Sequence, residues 1–275
     1  MMLLKTVSTL ALGALALGGG TSTTAKRDVP PVVTLTARDY AFDPIPDITA
    51  GVVDLRLHNL GPDFHHAAIF KLAGSHTAEQ FVAAMKNPGP PPKWAMSVPG
   101  PNAPPVGGTS NVIAEYTPGN YVVLCFIDTN GGVPHFVKGM SRGFKVVAPA
   151  NRAKGPKADI ALTLADYSFK FSPGLTAGEH TVRISNLGPQ EHEIEIFKLD
   201  DGKTAKELHE WIIGQMKTKP PANAVGGVVG VTPDSHPEFR VTLSAGHYVA
   251  YCFVPDAKDG KPHFTHGMEY SFEVK

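Results

Sequence analysis

YVVLCFIDTNGGVPHFVKGM, residues 121–140, returns in altered form as YVAYCFVPDAKDGKPHFTHGM, residues 248–268. Each copy presents one Cys, one His and one Met in the same order, and the chain's two cysteines both lie in these stretches. A thiolate, an imidazole and a thioether form a soft donor set of the kind that selects copper. That set, written twice, carries the functional reading.

Outward from these stretches the repetition runs through both halves. Asp39-Tyr40-Ala41-Phe42 recurs as Asp166-Tyr167-Ser168-Phe169, and Asn59-Leu60-Gly61-Pro62 as Asn186-Leu187-Gly188-Pro189. Ile69-Phe70-Lys71-Leu72 recurs as Ile196-Phe197-Lys198-Leu199. These pairs share the cysteines' offset, 252 − 125 = 127, whereas 263 − 135 = 128 for the histidines, so one residue is inserted after Cys252. A period this long denotes tandem domains. The predicted organisation is a signal peptide at 1–25, a first domain at 26–148, a polar linker at 149–157 and a second domain at 158–275.

The export signal is read from Lys5 followed by the apolar run Thr6 to Leu17, too short for the roughly 20 residues of a membrane span. An exported protein, periplasmic or secreted, is expected, with no stable membrane insertion once the signal is removed. Two cysteines in such a compartment suggest a disulfide. Equivalent positions of separate domains, however, would lie beyond the roughly 7 Å between Cα atoms that a bridge tolerates. A formal net charge of zero offers no electrostatic case for nucleic acid or an anionic membrane as partner.

Each half reads as β structure. Val53 to His58 and His180 to Ser185 alternate apolar and polar, the mark of a strand with one face buried. His192-Glu193-Ile194-Glu195-Ile196 alternates too and puts His192 on the inward face; by the same register His65, not His66, points inward in the first half. Thr77-Ala78-Glu79-Gln80 and Thr204-Ala205-Lys206-Glu207 fit capping boxes, so one short helix is expected in each half. Asn87 to Pro105 reads as an extended Pro-rich loop. The fold class is all-β, with short strands and Gly/Pro turns suggesting sandwiches.

NLGPDFHHAAIF, then PGNYVVLC, then HFVKGM resembles the cupredoxins, particularly the plastocyanin-like blue copper proteins. The form G-x-Y-x-x-x-C is matched by Gly119 to Cys125 and by Gly246 to Cys252, and the His-x4-Met spacing by His135/Met140 and His263/Met268. The resemblance implies two tandem cupredoxin-like Greek-key β-sandwiches. It also implies one copper per domain at most, held by His65, Cys125, His135 and axial Met140, and by His192, Cys252, His263 and axial Met268. The chain departs from the plastocyanins between Cys and the second His, with nine residues (126–134) and ten (253–262) where they have two.

The function this implies is electron transfer between redox partner proteins at mononuclear copper. Alternatives are copper carriage or storage, and a metal-free cupredoxin-like binding module. A two-domain copper oxidoreductase is disfavoured, because the His that links two coppers beside the Cys of those enzymes is absent: Leu124 and Phe126 flank Cys125, and Tyr251 and Phe253 flank Cys252. The expectation is therefore a protein that is not an enzyme, with no catalytic residues. His236, His247 and His266 read as surface residues, and Asp39/Tyr40 with Asp166/Tyr167 as turn-shaping and core-filling.

Overall fold

In the computed structural model, which describes residues 29–275 apart from Pro88 and Gln215, the period-two segments become strands. The predicted signal peptide lies outside the described residues. The first unit runs β1 (Val32–Arg38), β2 (Ala41–Phe42), β3 (Ile48–Thr49), β4 (Gly51–Asn59), β5 (Ala68–Leu72), α1 (Ala78–Met85), β6 (Ala95–Val98), β7 (Gly100–Pro101), β8 (Thr109–Tyr116), β9 (Gly119–Leu124) and β10 (Ser141–Val147). The second runs β11 (Ile160–Ala165), β12 (Ser168–Ser172), β13 (Gly178–Asn186), β14 (His192–Leu199), α2 (Ala205–Ile213), β15 (Ala222–Val231), β16 (Glu238–Leu243), β17 (Gly246–Tyr251) and β18 (Glu269–Val274).

Each unit is a sandwich of two sheets. In the first, β2-β1-β4-β8 faces β3-β10-β9-β5-β6; in the second, β12-β11-β13-β16 faces β18-β17-β14-β15. The space between is filled by alternate residues of both sheets, such as Leu55, Leu57 and Val123 in the first and Ile184, Ile194 and Ala250 in the second, all fully buried. Each large aliphatic side chain so buried contributes about 1.5–3 kcal/mol. The repeated G-x-Y has a structural reason: Tyr121 Oη donates to the Thr117 carbonyl at 2.7 Å, and Tyr248 Oη to that of Ser244 at 2.8 Å. Each phenol thus pins the corner from which the Cys-bearing strand departs.

Both expected helices form with complete capping boxes, Thr77 with Gln80 and Thr204 with Glu207. They lie on the outer faces, where Phe81 and Leu208 are fully buried. No helix among the described residues is long and apolar enough to cross a membrane.

The units share backbone pairing. β8 and β16 meet at Ile113 and Glu238, which joins four strands of each unit into one eight-stranded sheet. β7, out of the Pro-rich stretch expected to be a plain loop, pairs with β15 of the second unit. This corrects the one-faced reading of β14: Glu193 and Glu195 are buried along with Ile194 and Ile196. The cover comes from the first unit, where the Ala103 amide donates to Glu195 Oε2 at 2.8 Å and Asn102 Nδ2 to the Ile194 carbonyl at 3.2 Å.

Candidate metal centres

Cys125 follows the last residue of β9, and His135 opens a single 3-10 turn, His135–Lys138, that precedes Met140 and β10. The long excursion between them is pinched shut at its base. The His135 amide donates to the Ile127 carbonyl and that of Phe136 to the Cys125 carbonyl, both at 2.9 Å, with a bridge between Asp128 and Pro134. The second unit repeats this with His263 to Val254, Phe264 to Cys252 and a Pro255–Pro262 bridge. The extra residues therefore bulge outward without separating Cys from His.

The donors meet in both units. In the first, His65 Nδ1 lies 3.1 Å from His135 Nδ1, and Cys125 Sγ lies 3.6 Å from the same nitrogen. In the second, His192 Nδ1 and His263 Nδ1 are 3.1 Å apart, and Cys252 Sγ is 3.5 Å from His263 Nδ1 and 4.0 Å from His192 Nδ1. All six side chains are buried, and both cysteines are free. Met140 and Met268 are fully buried as well; each amide donates to the carbonyl of its unit's second His, and each carbonyl accepts from its unit's Cys amide. His66 points elsewhere and accepts from the Phe126 amide at 2.9 Å.

The first His of each unit is oriented by a carboxylate that the sequence reading had assigned to a turn. Asp39 Oδ1 lies 3.0 Å from His65 Nε2, and Asp166 Oδ1 lies 3.1 Å from His192 Nε2. Accepting the Nε2 proton leaves Nδ1 as a lone pair facing the cluster. The repeated N-L-G-P builds the wall behind this pair. Asn59 Oδ1 accepts from the Gly61 amide while its Nδ2 donates to the Asp63 carbonyl, and Asn186 does the same with Gly188 and Gln190. A Cβ on Gly61 would come within 2.6 Å of His65 Nε2, and one on Gly188 within 2.8 Å of His192 Nε2, so only glycine fits against the His–Asp pair. The signal was present in the recurrence of D-Y-x-F and N-L-G-P; what it lacked was any indication that the two motifs meet.

Burial sets the protonation of the donors. It holds His65, His192 and His263 below the ordinary imidazole value and brings His135 down to about 4, with His65 adding to the effect on His135. It pushes the Cys125 thiol up to about 12 and raises Cys252 too, where Glu193 reinforces the shift. In the second unit the Nε2 sides of both histidines face oxygen acceptors, which directs the two Nδ1 lone pairs at each other across 3.1 Å. Two neutral nitrogens and a sulfur converging in a dry core, with lone pairs opposed, fit a bound cation. Two imidazoles, a thiol and a nearby Met suit copper better than zinc, for which thioether is a poor ligand. Asp256, Asp259 and His266 form a third group close enough to hold a metal, but Asp259 and His266 are exposed and already paired with each other at 3.2 Å.

No family model matches the chain, and no curated protein matches it in sequence. Solved structures do. An auracyanin from the photosynthetic bacterium Roseiflexus castenholzii aligns at 18% identity over 44% of this chain and 100% of its own, with a TM-score of 0.29. A Cu-containing nitrite reductase from Thermus scotoductus aligns at 14% identity over 90% of this chain and 62% of its own, with a TM-score of 0.26. A blue copper oxidase from Nitrosomonas europaea aligns at 13% identity over 89% of this chain and 86% of its own, with a TM-score of 0.25. The structures matched across both units are thus mostly those of enzymes, which overturns the expectation of a protein that is not an enzyme. The residues flanking the two cysteines do not settle that question.

Proposed function

We propose that this chain of two cupredoxin-like domains binds one copper ion in each and passes single electrons through them to redox partner proteins. The residues that would hold it are His65, Cys125, His135 and Met140 in the first domain, and His192, Cys252, His263 and Met268 in the second. Bound there, copper would supply a one-electron couple. The chain's own part is to hold the donors and keep water out. Asp39 and Asp166 fix the tautomer of the first His, the pinched loop returns the second, and the Tyr121 and Tyr248 corners hold the strands that deliver sulfur. The observation that carries this reading is the convergence of two Nδ1 atoms and one Sγ inside each buried core.

Export is part of the proposal and rests on the Lys5 and Thr6 to Leu17 pattern. The test of the whole is a visible spectrum during Cu(II) titration of the purified protein. An intense thiolate-to-copper band saturating at two equivalents, and absent from the Cys125→Ala/Cys252→Ala variant, is the expected result. Because burial holds the thiol of Cys125 near 12, loading at neutral pH must expel its proton. Apparent affinity should therefore rise with pH, and a weakly buffered titration should acidify. A pale spectrum with tight, exchangeable Cu(I) binding would instead indicate copper carriage.

A further inference from the structure

The two centres share their inner donors but not what lies behind the second His. His135 Nε2 in the first unit is buried and has no hydrogen-bond partner among the described residues. His263 Nε2 in the second lies 3.4 Å from Gln190 Oε1 and 3.7 Å from Asp256 Oδ2. The Asp256 carboxylate is itself buried and held in place. It accepts from Tyr167 Oη, from Gln190 Nε2 at 3.0 Å and from the Lys258 amide at 2.7 Å. The first unit offers Thr129 at the position of Asp256 and Asp63 at that of Gln190, so this carboxylate bracket is particular to the second unit. The cap of the neighbouring amide differs as well, His66 for Phe126 and the Glu193 carboxyl for Phe253.

Negative charge against a metal-bound imidazole strengthens it as a donor and favours the metal's higher oxidation state. At this separation, in a site closed to water, the effect is only weakly screened. The second unit brings a carboxylate to each His, Asp166 to His192 and Asp256 to His263; the first brings both of its carboxylates, Asp39 and the more distant Asp63, to His65 and leaves His135 Nε2 without a hydrogen-bond partner among the described residues.

We propose that Asp256 is a positioning residue that makes the two centres unequal, so that the second holds Cu(II) more firmly and the first is the easier to reduce. A single electron shared within the chain then rests on the first unit: Cu(I) in the second gives one electron to Cu(II) in the first, and no proton or ligand changes place. The inference rests on copper being bound at both sites.

Spectroelectrochemistry on the copper-loaded full chain tests it. Two separate one-electron waves are expected. Asp256→Asn should move the lower wave upward and leave the upper one in place, while Asp256→Glu, which keeps the charge, should hold the lower wave nearer its original position. Cys252→Ala, which keeps only the first centre, should retain the upper wave, and Cys125→Ala the lower. Cu(II) affinity of the second centre should fall by roughly tenfold or more in Asp256→Asn, the usual scale for loss of an outer partner. A single two-electron wave, or a Cys125→Ala potential at or above that of Cys252→Ala, overturns the proposal even if Asp256→Asn does not fold. Failure of either unit to take up copper is a separate outcome, visible in the loading stoichiometry, and overturns the functional reading beneath it.

Discussion

β5 and β14 occupy the same place in their units, each beside the strand that delivers the Cys, yet their surroundings differ. β5 is five residues long and pairs with β6 and β9 of its own unit. β14 is eight residues long and pairs with β15 and β17, and β15 in turn takes β7 from the first unit as its edge. Where β5 carries Ala68, β14 carries Glu195, buried under Ala103. The two units therefore derive from one pattern but are not interchangeable. The second uses part of the first to cover a strand that begins with one of its own donors, His192.

The strongest way to break this comparison is through Asp54. It is buried in the first unit and accepts from Arg56 at 3.0 Å, Asn111 at 2.8 Å and Arg240 of the second unit at 2.8 Å. Asp54→Ala should cost about 2–3 kcal/mol, less than a fully buried pair because both arginines reach solvent. Hydrogen exchange should then speed up along β14 and β15 while β5 stays protected; equal loosening of all three would mean that the units do not depend on each other in this way. Acid should mimic the variant. Burial alone would raise the Asp54 carboxyl, but the bonds from Arg56, Asn111 and Arg240 outweigh it and hold the group below its ordinary value. A carboxylate with a folded value below the unfolded one contributes stability that is fully present above the unfolded value and is lost as pH falls through the folded one. Thermal unfolding at falling pH should show that loss in the native protein and not in Asp54→Ala.

How much of this was legible in the sequence differs from residue to residue. The 127-residue offset gave the tandem arrangement, and alternation through His192-Glu193-Ile194-Glu195 put His192 inward, because both signals are local and periodic. Burial of Glu193 and Glu195 was not legible, since it is imposed by a segment some 90 residues earlier in the chain, and a polar residue on a strand's second face ordinarily meets water. The donors of each centre could be named because their types are rare and their order repeats. The carboxylates behind them could not: Asp39 reaches His65 across 26 residues, and Asp256 reaches His263 from within a loop whose closure depends on backbone bonds that leave no mark in composition.

A smaller effect sharpens the comparison at Glu195. Burial and the neighbouring Glu193 raise its carboxyl well above the ordinary range, the Ala103 amide notwithstanding. Its Oε1 has no partner among the described residues. Glu195→Gln keeps an acceptor for the Ala103 amide and should change the unfolding midpoint little. Glu195→Ala copies the first unit's Ala68 but leaves that amide only its contact with Asn102 Oδ1 at 3.0 Å in a buried interface, at about 1 kcal/mol. If the alanine variant is as stable as the glutamine one, the Ala103 contact does not hold the first unit over β14.

The smallest effect concerns what the units share. In both helices the N-cap threonine accepts from the third residue's amide, Thr77 from Gln80 at 3.3 Å and Thr204 from Glu207 at 3.2 Å, and that residue's side chain returns to the threonine amide at 3.0 and 2.9 Å. Thr77→Ala and Thr204→Ala should each cost about 1 kcal/mol in denaturant unfolding. The costs should be nearly equal, because each box satisfies the same free amides and each helix lies on the outer face of its own sandwich, with Phe81 or Leu208 as its buried anchor. The double variant should show their simple sum, since two local caps with no shared partner are expected to be additive. A sum exceeded by more than about 0.5 kcal/mol would mean that fraying in one unit is felt in the other, and that the dependence seen at β14 extends to the outer layer as well.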